Sequence, residues 1–335
     1  MTLLFCDSFD YYTTVDQKWT INGGGVISAA VGRNGTQAIR FGQSSHYSQK
    51  TLASDYQTLT AGVAYKVNTI NGTGCIMSFI DSGSFQCEVR FTNTGHLTIT
   101  RNGTVLATSV NILTAEVWHY IEFQVTIDDA PNGQATLKVN GVTWASVVNG
   151  DTQATGNAFA NVFRLLGGGL TPMAYYSFDD LYLCDDAGAH NNDFLGDVRV
   201  EAIMPDDAGT TTAWDPSAGA NWECVDEIPP DSDTTYVSTA TATEVDTYEF
   251  GDVTPTTGTV LAVVTYMFAR KDDAGARVIN SVVRPVATDY ASGASHSVGD
   301  SYAYYSDLYE ENEEVAGVWT IATVNASEFG IKLES

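Results

Sequence analysis

Apolar and polar side chains alternate along two neighbouring stretches near the middle of the chain. The first covers residues 118–127 and the second covers residues 135–139. A side-chain period of two is typical of a β-strand that buries one face. The segment between them contains Pro131-Asn132-Gly133, and these residue types favour tight turns. The pattern therefore predicts a β-hairpin over residues 118–139.

Similar short alternating runs fill the rest of the first half. We predict strands at residues 3–9, 38–41, 62–67, 75–80, 85–91, 97–100, 105–108, 118–127, 135–139, 161–165 and 174–183. Gly, Asn, Asp and Ser separate the runs, and no stretch of ten residues carries helical periodicity with caps at both ends. About a dozen short strands in this length suit two stacked antiparallel sheets. The fold class is predicted to be all-β.

A second block of strands follows an acidic segment of small residues. Its strands are predicted at 194–203, 259–270, 277–286, 301–309, 318–323 and 328–333, with long packed loops between 205 and 245. A chain of 335 residues exceeds one ordinary sandwich. We therefore predict a first domain at 1–186, a linker at 187–193, and a second, smaller antiparallel β-sandwich at 194–335.

The net charge of −26 is unevenly distributed. Residues 1–190 hold 15 acidic and 9 basic residues, a net charge of −6, whereas residues 191–335 hold 26 and 6, a net charge of −20. Acidic surfaces repel phosphate backbones and anionic lipids. No apolar stretch approaches the roughly 18 residues that span a bilayer. Composition thus argues against nucleic-acid binding and membrane insertion, and the asymmetry favours two domains.

The hairpin carries a resemblance to a known superfamily. The order Trp118-His119, strand, acidic turn, and strand ending in Asn140-Gly141 resembles the laminin-G and concanavalin A-like lectins. The resemblance implies that the first domain is a two-sheet jelly roll that holds a glycan or a protein partner. It also implies that the first and last strands of this domain lie side by side.

That implied pairing concerns two of the five cysteines. None of the five belongs to a CxxC pair, so a structural zinc site is not expected. If residues 3–9 and 178–184 are adjacent antiparallel strands, Cys6 and Cys184 are neighbours. A disulfide requires Cα atoms within about 7 Å. Thiols made in a cytoplasm start reduced, and we expect any bond to form only later, after release.

The whole chain also resembles a type of structural protein encoded by tailed bacteriophages. The segments that carry this resemblance are Phe194-Leu-Gly-Asp-Val-Arg-Val200, Trp214-Asp-Pro-Ser217, Pro230-Asp-Ser-Asp-Thr-Thr-Tyr-Val237, Ala269-Arg-Lys-Asp-Asp-Ala-Gly275 and Val324-Asn-Ala-Ser-Glu-Phe-Gly-Ile-Lys332. The resemblance implies a component of the virion surface, as head decoration, neck or collar, or tail fibre or tip. It implies synthesis in the host bacterial cytoplasm, capsid, neck or tail proteins as partners, and homo-oligomers.

Catalytic motifs are not evident. Glycosidases on jelly rolls place carboxylates as Glu-x-Asp-x-x-Glu on one strand, and retaining hydrolysis needs carboxyls about 5–5.5 Å apart. Here Glu116 and Glu122 would lie about 20 Å apart on a strand. Neither Gly-x-Ser-x-Gly nor His-Glu-x-x-His occurs. Ser295-His296-Ser297 shows no orienting acid. We therefore expect a non-enzymatic protein.

Two kinds of binding residue are candidates. Calcium prefers hard oxygen donors, which Asp128, Asp129 and Asn132 in the hairpin turn, or Asp179 and Asp180 in the closing strand, would supply. Tyrosine rings in or beside loops can stack on the apolar face of a sugar. These tyrosines are Tyr11, Tyr12, Tyr47, Tyr56, Tyr175 and Tyr176.

Three functions remain open from the sequence. The first is a virion surface protein whose lectin-like domain serves adhesion to host glycans or decoration of the particle. The alternative from another class is a polysaccharide depolymerase or glycosidase on a jelly-roll fold, acting on the host capsule. The third is a scaffold whose lectin-like fold binds no sugar.

Overall fold

The computed structural model describes residues 2–42, 45–167 and 175–335, and the chain forms two compact units. These units are Met1–Val200 and Glu201–Ser335. Within the described residues, regular structure is almost entirely antiparallel β, and the single α-helix has five residues. The predicted all-β class with two sandwiches is confirmed. No helix in the described ranges is long and apolar enough to cross a membrane.

In the described part of the first unit there are fifteen strands and one short 3₁₀ turn, Val15–Gln17. The strands are β1 (Leu3–Asp7), β2 (Ile21–Asn22), β3 (Val26–Ser28), β4 (Ala38–Phe41), β5 (Tyr47–Tyr56), β6 (Thr58–Val67), β7 (Gly74–Asp81), β8 (Ser84–Phe91), β9 (His96–Arg101), β10 (Thr104–Ile112), β11 (His119–Thr126), β12 (Gly133–Val139), β13 (Val142–Gly150), β14 (Ala160–Leu166) and β15 (Tyr176–Asp185).

These strands form two stacked sheets. Sheet A has the order β13-β12-β11-β6-β15-β4-β3, with β1 also paired to β15, and sheet B has the order β10-β9-β8-β7-β14-β5-β2. The predicted hairpin is present as β11 and β12, with Ile121 opposite Val139. Phe79 of sheet B and Phe123 of sheet A lie 5.8 Å apart between ring centroids, so the core lies between the sheets.

The pairing of the first and last strands is also confirmed. Strand β1 runs antiparallel to β15, with Leu3 opposite Cys184 and Cys6 opposite Tyr182. Cys6 and Cys184 are therefore offset rather than directly opposite, and both are free thiols. The predicted disulfide is absent from the structure.

The second unit is built around one larger sheet. Its strands are β16 (Pro205–Thr212), β17 (Asp215–Pro216), β18 (Val237–Ser238), β19 (Val245–Phe250), β20 (Val263–Ala269), β21 (Val278–Arg284), β22 (Tyr290–Ala291), β23 (His296–Ser297), β24 (Ala303–Tyr309), β25 (Glu311–Asn312), β26 (Gly317–Val318) and β27 (Glu328–Leu333), with helix α1 (Ile321–Asn325) and a 3₁₀ turn, Trp222–Cys224.

Sheet C has the order β16-β19-β27-β21-β22, with β23 also paired to β21. Strands β20 and β24 form a separate ribbon, and side chains of this ribbon complete both apolar clusters of the unit. One cluster contains Tyr309, Trp319 and Phe329, and the other contains Met267 and Leu333. The small pairs β17–β18 and β25–β26 lie outside sheet C.

Two predicted strands are not formed, and part of a third lies outside the described residues. Residues 194–203 lack strand structure, and residues 194–200 belong to the first unit rather than the second. Residues 318–323 contain the start of helix α1, because the Thr320 side chain accepts a hydrogen bond from the backbone of Thr323 and caps it. Residue 174 of the predicted strand 174–183 is not described.

Candidate functional site

The outer face of sheet B carries an unusual set of polar side chains. Phe79 and Phe163 point into the core, with no exposed surface. Side chains alternate between the two faces of a strand, so their neighbours Ser78 and Arg164 lie on the outer face. Sheet B therefore presents these side chains away from sheet A.

Five of these outer side chains lie opposite one another across five strands, and we call them the polar row. Cross-strand register places Arg164 opposite both Gln49 and Ser78, then Ser78 opposite Glu88, and Glu88 opposite Thr100. The row crosses four strand spacings of about 4.8 Å, about 19 Å in all. Ser78, Glu88 and Thr100 are buried, and Gln49 and Arg164 at the other end of the row are half-buried.

Arg164 is the central cation of the row. Its Nε and Nη2 atoms donate to Oε1 of Gln49, at 3.2 and 2.6 Å. The guanidinium lies 4.3 Å from the ring centroid of Tyr47 and 5.7 Å from that of Phe85. Burial lowers the pKa of Arg164. Within the described residues no carboxylate pairs with Arg164. Its hydrogen-bond partner is neutral, so its positive charge is not offset by an ion pair.

Three members of the polar row, Ser78, Glu88 and Thr100, are buried. Glu88 is 2% exposed and accepts hydrogen bonds from Thr100 Oγ1 at 3.1 Å and Arg90 Nη1 at 3.0 Å. The Ser78 hydroxyl is fully buried and has no hydrogen-bond partner among the described residues. Burial raises the pKa of the nearby Cys75 thiol, and the Glu88 carboxylate raises it further.

A glycine turn holds the Tyr47 ring beside Arg164. A Cβ atom on Gly23 would lie 2.7 Å from the ring, so a larger residue there would displace it. The Asn22 side chain stabilises the turn, because its Oδ1 accepts hydrogen bonds from the backbone of Gly24 and Gly25, at 3.2 and 2.7 Å. The first glycine run of the sequence is thus a positioning turn. The sequence has a second glycine run at residues 167–169, of which Gly168 and Gly169 lie outside the described residues.

The segment 151–159 forms a wall beside the row. The buried Gln86 amide donates to the carbonyl oxygens of Asn157 and Phe159, at 2.7 and 2.9 Å. Asp81 Oδ2 accepts from Thr155 Oγ1 at 2.6 Å. Burial alone would raise the pKa of Asp81, but the hydrogen bonds from Thr155 and Asn157 lower it overall. The buried side chains of Gln86 and Asp81 therefore hold residues 151–159 in place beside the polar row.

The six tyrosines predicted as sugar-stacking residues do not share one surface. Tyr47 lies in the site, Tyr56 is half-buried, and Tyr175 is 47% exposed. Tyr11, Tyr12 and Tyr176 are buried, so their ring faces are not available for stacking on a sugar. Tyr176 belongs to strand β15, and Tyr11 and Tyr12 pack against each other with ring centroids 5.3 Å apart, which residue type alone does not show.

The predicted calcium donors are held by the protein itself. Asp179 accepts a hydrogen bond from the backbone of Arg33 at 2.7 Å, and Asp180 forms a 2.9 Å ion pair with the Arg33 side chain. In the hairpin turn, Asp128 accepts from the backbone of Asp129, and the Asn132 backbone donates to the Asp129 carbonyl. Across the described ranges, no group of three or more His, Cys, Asp or Glu side chains could hold a metal ion.

The structure also supplies the acid that the sequence did not reveal for His296. Its Nε2 lies 2.9 Å from Asp307 Oδ1, while the Ser281 hydroxyl donates to Asp307 Oδ2 at 2.6 Å. The carboxylate therefore lies between the serine and the histidine. A catalytic triad needs the histidine in that central position, so this arrangement is structural.

Sequence reasoning missed every member of the polar row. The signal was present in part, since Arg164 interrupts the apolar run 161–165. Gln49 belongs to β5, whose polar sequence Tyr47–Tyr56 does not alternate. Register between strands distant in sequence brings the row together, and no local pattern encodes it.

No family model matches the chain, and no curated protein is similar to it. Solved structures with a similar fold include the endo-β-1,4-glucuronan lyase of the fungus Trichoderma reesei, at 13% identity and a TM-score of 0.39, over 50% of this chain and 91% of that one. The marine alginate lyase of Aplysia kurodai has 11% identity and a TM-score of 0.42, over 55% and 99%. The receptor-binding domain of a botulinum neurotoxin C/D mosaic has 10% identity and a TM-score of 0.35, over 49% and 41%.

These similarities concern the jelly-roll fold of the first unit and transfer no activity to this chain. They do correct one expectation. We expected a non-enzymatic protein, and that expectation is wrong, because it rested on a missing carboxylate pair, which is a requirement of glycoside hydrolysis alone. Solved structures with a similar fold include glucuronan and alginate lyases.

Proposed function

We propose that the first unit is a polysaccharide-cleaving module that binds a carboxylated sugar chain across the outer face of sheet B. The observation that carries the proposal is the environment of Arg164. This cation lies close to two aromatic rings, and within the described residues its side chain donates hydrogen bonds to the neutral Gln49 amide. In a chain of net charge −26, a guanidinium without a carboxylate partner is available to an external anion.

The shape of guanidinium favours a carboxylate as that anion. Arginine presents a planar fork of N–H donors that matches carboxylate oxygens, and such charge-assisted pairs are stronger than neutral hydrogen bonds. Tyr47 and Phe85 beside it offer apolar ring surface of the kind that sugar C–H groups contact. A uronate unit combines both features in one ligand.

The chemistry that fits this site is β-elimination. A base removes the proton from the carbon next to the carboxylate, and that electron pair forms a double bond to the neighbouring carbon. The bond from this second carbon to the glycosidic oxygen breaks, and the oxygen takes a proton. Arg164 would stabilise the negative charge that develops on the carboxylate, and Tyr47 is the candidate proton-transfer group. This reaction needs no pair of catalytic carboxylates.

The test uses the purified full-length protein with polyglucuronate and with alginate. Elimination produces an unsaturated uronate, which is followed by its ultraviolet absorbance. We expect activity on at least one polymer and a loss of about 100-fold in Arg164→Gln, the scale on which one stabilising donor contributes. Arg277→Gln is the control, because Arg277 lies in the second unit and pairs with Asp273. New reducing ends without absorbance would show hydrolysis instead, and no cleavage at all would overturn the proposal.

We further propose that this activity is displayed on the surface of a tailed-phage virion, directed at a polysaccharide of the host. The support is the sequence resemblance carried by residues 194–335, which also favours a homo-oligomer attached to capsid, neck or tail proteins. Antibody labelling of intact particles would locate the protein. Labelling absent from all particles, or only free monomer in mass photometry of particle-derived material, would contradict this assignment.

A further inference from the structure

The ε-amine of Lys50 lies in an unusual environment at the margin of the first core. Lys50 is opposite Phe163 in the pairing of β5 with β14, and Phe163 is fully buried. Its Nζ atom donates to the carbonyl oxygen of Lys18 at 2.8 Å and lies 4.4 Å from the ring centroid of Phe5. The side chain is half-buried, so small molecules retain access to it.

The partners of Lys50 differ from those of three other lysines. Lys18, Lys271 and Lys332 each form an ion pair, with Asp7, Asp300 and Glu334, at 3.3, 3.5 and 2.7 Å. Within the described residues, Lys50 has no carboxylate partner. The Lys18 ammonium and the Asp7 carboxylate are the charged groups that act on it. Desolvation and an adjacent cation are the two conditions that keep a lysine amine neutral and nucleophilic.

The electrostatics around Lys50 agree with this geometry. Burial and, to a lesser extent, the Lys18 ammonium lower the pKa of Lys50 to about 8, and the Asp7 carboxylate acts in the opposite direction. At pH 7 an amine with that pKa is about one-tenth neutral. An ordinary lysine with a pKa of about 10.4 has about 200-fold less free amine.

We propose that Lys50 is a carbonyl-capture site, at which the ε-amine forms an imine with an aldehyde such as the open-chain end of a small sugar. The amine nitrogen attacks the carbonyl carbon, a C–N bond forms, and the carbonyl oxygen takes up a proton. Loss of water then gives the imine. This site is separate from the polar row, because Lys50 lies on the inner side of β5 and Gln49 on the outer side.

The test treats the full-length protein with a limiting amount of glycolaldehyde and sodium cyanoborohydride, which reduces each imine to a stable amine. Peptide mass spectrometry then measures the modified fraction at every lysine. At pH 7 we expect Lys50 to react at least about tenfold faster than Lys66 and Lys138, whose ammonium groups lie over the rings of Trp118 and Phe194. We expect tenfold rather than the full ratio of free-amine fractions for two reasons. Half-burial slows the approach of the aldehyde, and a less basic amine is a weaker nucleophile.

The pH profile gives a second, variant-free readout. Modification of Lys50 should reach half of its maximum near pH 8, as free amine forms. Lys50→Met should abolish the dominant adduct, and the control Lys66→Met should leave it unchanged. Equal reactivity of all lysines at pH 7, or a Lys50 profile that follows those of Lys66 and Lys138, would overturn the proposal.

Discussion

The hydroxyl of Tyr182 donates a 2.7 Å hydrogen bond to Oε1 of Glu122 on the outer face of sheet A. Both residues are buried, at 2% and 1% exposure. Residues 193–200 cover them, because the backbone of Leu195 donates to the Tyr182 oxygen at 3.1 Å and that of Gly196 donates to Oε1 of Glu122 at 2.8 Å. Burial raises the pKa of the Tyr182 phenol far above its ordinary value, and Glu122 raises it further.

Tyr182→Phe should therefore destabilise the first unit. The substitution removes one hydroxyl, which leaves Glu122 short of a donor and the Leu195 backbone without its acceptor. Buried groups left unpaired in this way cost about 1–3 kcal/mol. Urea denaturation of the full chain measures the loss. Tyr175→Phe is the control, because that ring is 47% exposed, and an equal effect of the two changes would contradict the assignment.

This covering segment also shows where prediction from sequence stops. The alternation at 118–139 predicts a hairpin correctly, because both strands have one buried face and a local turn. Residues 194–203 alternate too, yet form no strand, since their donors bond to Glu122 and Asp180 instead. The polar row depends on partners as distant as Gln49 and Arg164, which are 115 positions apart.

The stability of the first unit should decrease as the pH rises from about 4 to about 8. Burial and, to a lesser extent, the Asp180 carboxylate raise the pKa of Asp179 to about 8. The folded state therefore binds this proton more tightly than the unfolded state, whose carboxyl has an ordinary pKa near 4. The stabilisation is complete below pH 4 and is lost progressively up to pH 8.

Asp179→Asn provides the measurement, because an amide cannot ionise. The difference in unfolding free energy between wild type and variant should shift by a few kcal/mol in favour of the variant between pH 5 and pH 8. Replacing one carboxylate oxygen by an amide nitrogen also changes the free energy of unfolding, but by the same amount at every pH. The change of the difference with pH therefore reports the ionisation of Asp179. Asp129→Asn, at an exposed turn position of the same unit, is the control substitution. A constant difference for Asp179→Asn would contradict the raised pKa.

Gly330→Ala should disrupt the second unit. A Cβ atom at this position of β27 would overlap the backbone carbonyl oxygen of Asp246 in β19. The two strands are paired there, with Thr247 opposite Gly330, so neither backbone can move without breaking sheet C. Overpacking of this kind costs about 1–3 kcal/mol or more. Gly293→Ala is the control in the same unit, where a Cβ meets nothing within 4 Å, and thermal denaturation should separate the two variants.

Two fully buried serines should respond oppositely to loss of their hydroxyl groups. Ser281 lies in the second unit, and its Oγ contacts Asp307 Oδ2 at 2.6 Å and the Tyr309 hydroxyl at 2.8 Å. Ser281→Ala removes one donor from Asp307 Oδ2 and one partner of the Tyr309 hydroxyl, and should cost about 1–3 kcal/mol. Ser78→Ala in the polar row removes a buried hydroxyl that has no partner, so the free energy of unfolding should stay constant or increase. Urea denaturation compares each variant with the wild type. A loss above about 1 kcal/mol in Ser78→Ala would mean that a water molecule bonds this hydroxyl, since ordered water satisfies buried polar groups that lack protein partners.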